Sequence, residues 1–128
     1  MPHLIVYASE SDLTGHEREL IAALTDAVVA VYGEWARDIA VVQLIGLPDG
    51  RWGIGGKPVE NPAPRVTFGI KEAAFSRPDA EDIVARLTAG VTDALVTVLG
   101  ERVRSGAAVE LVGVPAGRSS VGGKVDTT

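Results

Sequence analysis

Cysteine is absent from the chain, which excludes a disulfide framework, a thiol nucleophile and a cysteine-ligated metal, and makes the cytoplasm the expected compartment. Histidine is nearly absent. His3 and His16 are the only two, and they form neither H-x-x-x-H nor H-E-x-x-H spacing, so no metal site is expected. Clusters of lysine and arginine are missing as well. The basic residues are scattered singly, and with a formal charge of -5 and a pI near 4.9 the chain lacks the cationic track that nucleic-acid binding demands. No apolar run approaches the roughly 20 residues of a membrane span, and no basic segment followed by an apolar stretch opens the chain as an export signal would. The expectation is a soluble, unexported protein with no nucleic-acid or membrane partner.

What the chain does hold is core material. Of its 128 residues 46% are hydrophobic and 23% charged, which suits one globular domain, 1–128. Proline stands at position two, so removal of the initiator Met1 leaves Pro2 as a secondary amine heading an apolar strand, Pro2-His3-Leu4-Ile5-Val6-Tyr7. A chain end held in a ring and locked into a sheet is a candidate general base.

The sequence is also written twice. Sliding it by 67 residues makes more than half of the aligned pairs from Leu20/Leu87 to Lys57/Lys124 identical, and an internal repeat of this kind decides the architecture. Thr25-Asp26-Ala27 matches Thr92-Asp93-Ala94, Gly33-Glu34 matches Gly100-Glu101, and Gly55-Gly56-Lys57 matches Gly122-Gly123-Lys124. At the front the offset becomes 62, aligning Pro2 to Leu13 with Pro64 to Phe75, so the second copy carries extra residues around Ser76-Arg77-Pro78. The copies are thus 2–60 and 64–125, joined at Asn61-Pro62-Ala63.

Each copy reads strand, helix, strand, hairpin. The first strand ends near Ala8; Thr14 with Glu17 makes a capping box; Leu20, Leu24, Ala27, Val28 and Val31 recur at helical spacing; Gly33 ends the helix. Ile39 to Ile45 is the second strand, parallel to the first because a helix connects them. In the second copy Arg65 to Ile70 is a strand, Asp79, Glu81 and Asp82 open a helix, and Val84, Leu87, Val91, Ala94, Leu95 and Val98 form its apolar stripe. Ala107 to Val114 follows, and Val125 to Thr128 reads as a loose tail. Two such units pair into an α+β fold, a four-stranded sheet with two helices on one face. The strands are apolar on both sides, so the second face calls for association into a closed homo-oligomer.

Pro2, the β-α-β unit and the hairpin Gly50-Arg51-Trp52-Gly53-Ile54-Gly55-Gly56 together resemble the tautomerase superfamily, typified by 4-oxalocrotonate tautomerase, whose hairpin has Phe where this chain has Trp52. The two-copy length and Ser76-Arg77-Pro78 resemble the fused malonate semialdehyde decarboxylase. The resemblance implies a tautomerase (MIF-like) fold, a homotrimer of fused chains, no cofactor, and catalysis by the nitrogen of Pro2. An α-amino group titrates near roughly 7.7–8.0, and burial near arginine charge disfavours its protonated form, which brings it toward working pH. Pro64, the repeat equivalent, lies within a peptide bond and has no basic nitrogen. The resemblance further implies that Arg77 anchors a small carboxylate substrate, that Asp38 assists proton or water chemistry, and that Trp52 walls the pocket. Where the decarboxylase has a second arginine two residues on, this chain has Asp79. The 4-oxalocrotonate tautomerase arginine positions read Asp12 and Val41.

Three functions stay open on these residues. The first is an isomerase performing keto-enol proton transfer on a small 2-oxo acid through Pro2. The second is a lyase, a cofactor-free decarboxylase or hydratase of a short 3-oxo acid. The third is a non-catalytic trimer that binds a small acid.

Overall fold

The computed structural model describes residues 2–128; Met1, whose removal the proline chemistry requires, lies outside the described residues. The first copy runs through β1 (His3–Ser9), a single-turn helix α1 (Glu10–Leu13), the long helix α2 (Glu17–Tyr32), β2 (Val41–Leu47) and a small hairpin of β3 (Gly53–Ile54) and β4 (Lys57–Pro58). The second repeats it with β5 (Arg65–Lys71), α3 (Ala80–Leu99), β6 (Ala108–Val114) and a hairpin of β7 (Ser119–Val121) and β8 (Lys124–Asp126). Strand order in the main sheet is β2-β1-β5-β6. Each outer strand is parallel to its inner neighbour, whereas β1 and β5 are antiparallel. In that central pair Leu4 faces Phe68 and Val6 faces Val66, which are repeat-related residues exchanged, so an approximate twofold axis passes between the two inner strands. The α+β architecture expected from the repeat is the one observed.

Alternation along the inner strands buries Leu4, Val6 and Ala8 of β1 and Val66, Phe68 and Ile70 of β5 beneath Leu20, Leu24 and Val28 of α2 and Leu87, Val91 and Leu95 of α3. Each large apolar side chain so buried contributes roughly 1.5–3 kcal/mol, and both long helices spend their apolar stripes on this one face. The opposite face carries Ile5, Tyr7, Ile45, Thr67 and Val112. Ile45 and Val112 are 43% and 41% exposed there, so the chain itself leaves this surface uncovered. Pro2 sits one residue ahead of the most completely buried strand, which anchors it to the core.

The turns that shape the site are also duplicated. Gly33 and Gly100 end the long helices at φ +107° and +106°, a left-handed conformation that only glycine adopts without steric cost. Each N–H returns to the carbonyl four residues back at 2.8 Å. Immediately after, Arg37 reaches Asp26 at 2.7 Å and Arg104 reaches Asp93 at 2.8 Å, tying each turn to its own helix.

Four local expectations are corrected. Thr14 and Glu17 form no capping box: the Thr14 hydroxyl donates to the Glu10 carbonyl at 2.9 Å and the Gly15 N–H donates to Glu17 at 2.8 Å, because residues 10–13 form a separate helical turn with their own orphan carbonyls to satisfy. The second strand starts at Val41 and not at Ile39, since a 3-10 turn over Glu34–Ala36 is extended by Ile39 N–H donating to the Ala36 carbonyl. Ile83, and not Val84, packs against the core at the start of α3. The tail is not loose: Lys124–Asp126 pairs with Ser119–Val121, and Thr128 bonds to both Asp126 and Lys71.

Candidate active site

A cavity of about 420 Å³ opens at the N-terminal end of β1, lined by Pro2, Tyr32, Trp35, Ile39, Ile70, Lys71, Ala74, Arg77 and Asp126. Its size fits a small-molecule site. Pro2 is buried and pinned from below, its carbonyl accepting the Val41 N–H at 2.9 Å, while the next residue, His3, pairs with both Val41 and Gly69. The adjoining end of β5 supplies Ile70 and Lys71. Beyond it, a 3-10 turn over Glu72–Ser76 stands where the first copy has α1, and the residues added around its end leave Arg77 in an extended conformation. The extra segment therefore brings a guanidinium to the cavity that holds the proline.

Tyr32, the last residue of α2, and Trp35, in the 3-10 turn that follows, form one wall. Their rings lie 6.0 Å apart at 57°, and the Trp35 indole N–H donates to the Tyr32 carbonyl at 2.7 Å. Burial pushes the Tyr32 phenol above its ordinary range, opposed by the nearby Arg77 charge, so the phenol keeps its proton at neutral pH. Arg77 itself is gripped by Asp79, Nε to Oδ1 at 2.9 Å and Nη2 to Oδ2 at 3.1 Å. These hydrogen bonds hold the guanidinium firmly charged and draw the Asp79 carboxyl below its usual value. Of the five guanidinium N–H donors, three remain for a ligand. Lys71 has a carboxylate companion too, with Nζ 3.4 Å from Asp126 and donating to the Thr128 hydroxyl at 2.9 Å.

The sequence-nominated residues separate into three places. Pro2 and Arg77 line the same cavity. Asp38 is exposed and does not line that cavity, although the neighbouring Ile39 does. Trp52 is half-buried beside Tyr7, Leu47, Arg51, Gly53, Arg65 and Thr67, around a different cavity on the uncovered sheet face. Sequence reasoning missed Tyr32, Trp35, Lys71 and Asp126. Among the described residues there is no group of three or more His, Cys, Asp or Glu placed to hold a metal ion, and no helix long and apolar enough to cross a membrane.

Comparison with known proteins bears on this arrangement. The family described as Tautomerase enzyme matches residues 2–61, the whole first copy. The fold of both copies matches the R7 fused 4-OT wild-type asymmetric trimer, with 25% identity, 96% of this chain and 94% of that one covered, and a TM-score of 0.80. The first copy thus matches the tautomerase family, and the whole chain has the fold of the fused 4-OT proteins. Pt0534 inactivated by 2-oxo-3-pentynoate shares the fold at 19% identity over 98% of this chain and 95% of that one, TM-score 0.81. RhCC from Rhodococcus jostii RHA1 shares it at 18% over 96% and 84%, TM-score 0.73. No curated protein matches the sequence.

The two copies are not symmetric in their chemistry. Around Pro64 the repeat places Arg102 where Trp35 stands and Asp12 where Ala74 stands, and these two form an ion pair. One oxygen of the Asp12 carboxylate is buried without a partner among the described residues. Charged side chains thus occupy the second copy's counterpart of an apolar wall.

Proposed function

We propose that the mature chain begins at Pro2 and works as a cofactor-free tautomerase, its free secondary amine moving a proton between oxygen and carbon of a small 2-oxo acid or its enol while Arg77 holds the carboxylate. The observation that carries this reading is that one cavity is lined by both residues. A buried amine among apolar walls favours its neutral, basic form. A guanidinium with donors to spare binds a carboxylate through charge-assisted hydrogen bonds. The inactivation of the structurally similar Pt0534 by a 2-oxo acid supports the substrate class.

The chain acts, on this reading, as a homotrimer in the cytoplasm. The uncovered sheet face and the trimeric fused 4-OT neighbours support the assembly. Trp52, which lines a cavity on that uncovered face of its own chain, then reaches a Pro2 cavity only across a subunit contact. Tautomerisation is preferred over decarboxylation because Asp38 lies off the cavity and because Asp79 stands where a second carboxylate-binding arginine is wanted.

The test is an assay of the processed protein on a phenylenolpyruvate-type enol, followed by loss of the enol absorbance and identification of the product. Ketonisation well above the buffer rate is expected. Release of carbon dioxide from a 3-oxo acid without enol turnover supports the decarboxylase instead, and no turnover of either by protein whose mass shows a free Pro2 overturns the enzymatic reading.

A further inference from the structure

We propose that Lys71 is a catalytic residue that stabilises the oxygen at C2 of the substrate as it becomes an enolate, and that the site is built for 2-oxo acids bearing a single carboxylate. This rests on the reading of Pro2 as base and Arg77 as carboxylate anchor. Lys71 ends β5, one residue after Ile70, and lines the same cavity as both. The end of the chain holds it. Thr128 accepts a hydrogen bond from Lys71 Nζ at 2.9 Å, and its own hydroxyl donates one to Asp126 at 2.8 Å. Asp126 lies 3.4 Å from Nζ and also accepts the Thr128 N–H at 2.9 Å. The bonds from Thr128 and Lys71 draw the Asp126 carboxyl down to about 2, so it stays ionised at any working pH.

The count of donors selects the ligand. An ammonium has three N–H groups; with one donated to Thr128 and its charge paired with Asp126 at 3.4 Å, Lys71 keeps a donor for a substrate oxygen. Arg77 has three left, enough to fork a carboxylate. Each cation already carries its own carboxylate, Asp79 on Arg77 and Asp126 on Lys71, so the cavity has no surplus positive charge for a second anionic group. A carboxylate at C1 and an oxygen at C2 match this set, with the remaining carbons against Tyr32, Trp35, Ile39, Ile70 and Ala74.

The chemistry needs such a donor. When the Pro2 nitrogen takes the enol proton, the O–H bond breaks and its electron pair stays on the C2 oxygen. That pair then closes the C2=O bond, while the C2=C3 π pair takes the proton back from the prolinium nitrogen to form a C3–H bond. Between the two transfers a full negative charge rests on the C2 oxygen, and an ammonium already fixed by its partners acts there without reorganising.

Lys71→Met is expected to lower kcat for enol ketonisation about 10²–10³-fold, the typical loss of one oxyanion donor, with KM changed little. Lys71→Arg, which keeps a donor, is expected to recover part of that rate. Affinity for 3-phenylpropionate, which has the carboxylate but no C2 oxygen, stays at the wild-type value in both variants, and this also shows that the cavity is intact. If the wild type turns over the enol, Pro2→Ala does not, and Lys71→Met keeps the wild-type kcat, the Lys71 assignment is overturned while the base assignment survives. A wild type faster on a dicarboxylate enol than on the monocarboxylate overturns the substrate class, and one inactive on any enol overturns both readings together.

Discussion

Replacing Pro2 by alanine is expected to lower kcat/KM for enol ketonisation about 10²–10⁴-fold, the usual contribution of a positioned general base, while leaving the fold in place. Alanine at the same position still ends in an amine. What it loses is the ring that limits the nitrogen to one direction and the apolar bulk that keeps water out of the cavity, so the residual rate measures an amine of similar chemistry without that positioning. The fold survives because the residue's structural bond, its carbonyl to the Val41 N–H, is a backbone contact that alanine retains. A second species sharpens the test. Protein that keeps Met1 has an amide at Pro2, with no basic lone pair, and is expected to fall to the buffer rate. Equal rates for processed wild type and Pro2→Ala, with circular dichroism unchanged, remove Pro2 from the chemistry.

The largest effect on substrate binding belongs to Arg77. Arg77→Ala is expected to raise KM about 10- to 100-fold, since hydrogen bonds to a charged group contribute about 1.5–3 kcal/mol each way, with a smaller effect on kcat. Lysine at this position recovers little, because a point charge does not reproduce a planar fork. The informative partner is Asp79→Asn. It removes the countercharge that now occupies Nε and Nη2, so carboxylate affinity, read by calorimetry with 3-phenylpropionate, is expected to rise. If Arg77→Ala leaves KM and this affinity unchanged, the carboxylate is held elsewhere, and Arg77 is only the solvated partner of Asp79.

Much of the fold was legible because the repeat is strong. Matching glycines at positions 33 and 100 announced helix ends, and both adopt the left-handed conformation that only glycine adopts freely. The parallel outer pairs followed from the helical crossovers. The errors share a physical cause, which is competition among nearby hydrogen-bonding partners that periodicity cannot resolve. Ile39 has the composition of a strand residue, yet its N–H is taken by the preceding turn and its side chain joins the cavity wall. Thr14 had two acceptable roles and took the carbonyl of Glu10.

The site was legible where the signal lay in a single residue type at a special position. Pro2 announces itself by sitting second, and Arg77 by lying in the one stretch the first copy lacks. Lys71 gave no such sign, being one charged residue at the end of a strand, and the importance of Asp126 was hidden because a short polar C-terminus reads as disordered until its hairpin partner Ser119–Val121 is seen. Tyr32 and Trp35 lie at a helix end whose turn into the cavity depends on Gly33. Asp38 and Trp52, nominated through family resemblance, do not line the Pro2 cavity within one chain, and their roles depend on what the assembled oligomer brings to it.

The central claim is that the Pro2 nitrogen is free, buried and able to exchange its proton near neutral pH. Nitrogen NMR of protein labelled at proline, followed through a pH titration, reads this atom directly. Because burial disfavours the charged form, the nitrogen is expected to titrate with a midpoint below the roughly 7.7–8.0 of an exposed α-amino group, with kcat/KM falling as pH drops through the same midpoint. A nitrogen that titrates above 8, or one that does not titrate because it remains in a peptide bond, contradicts it.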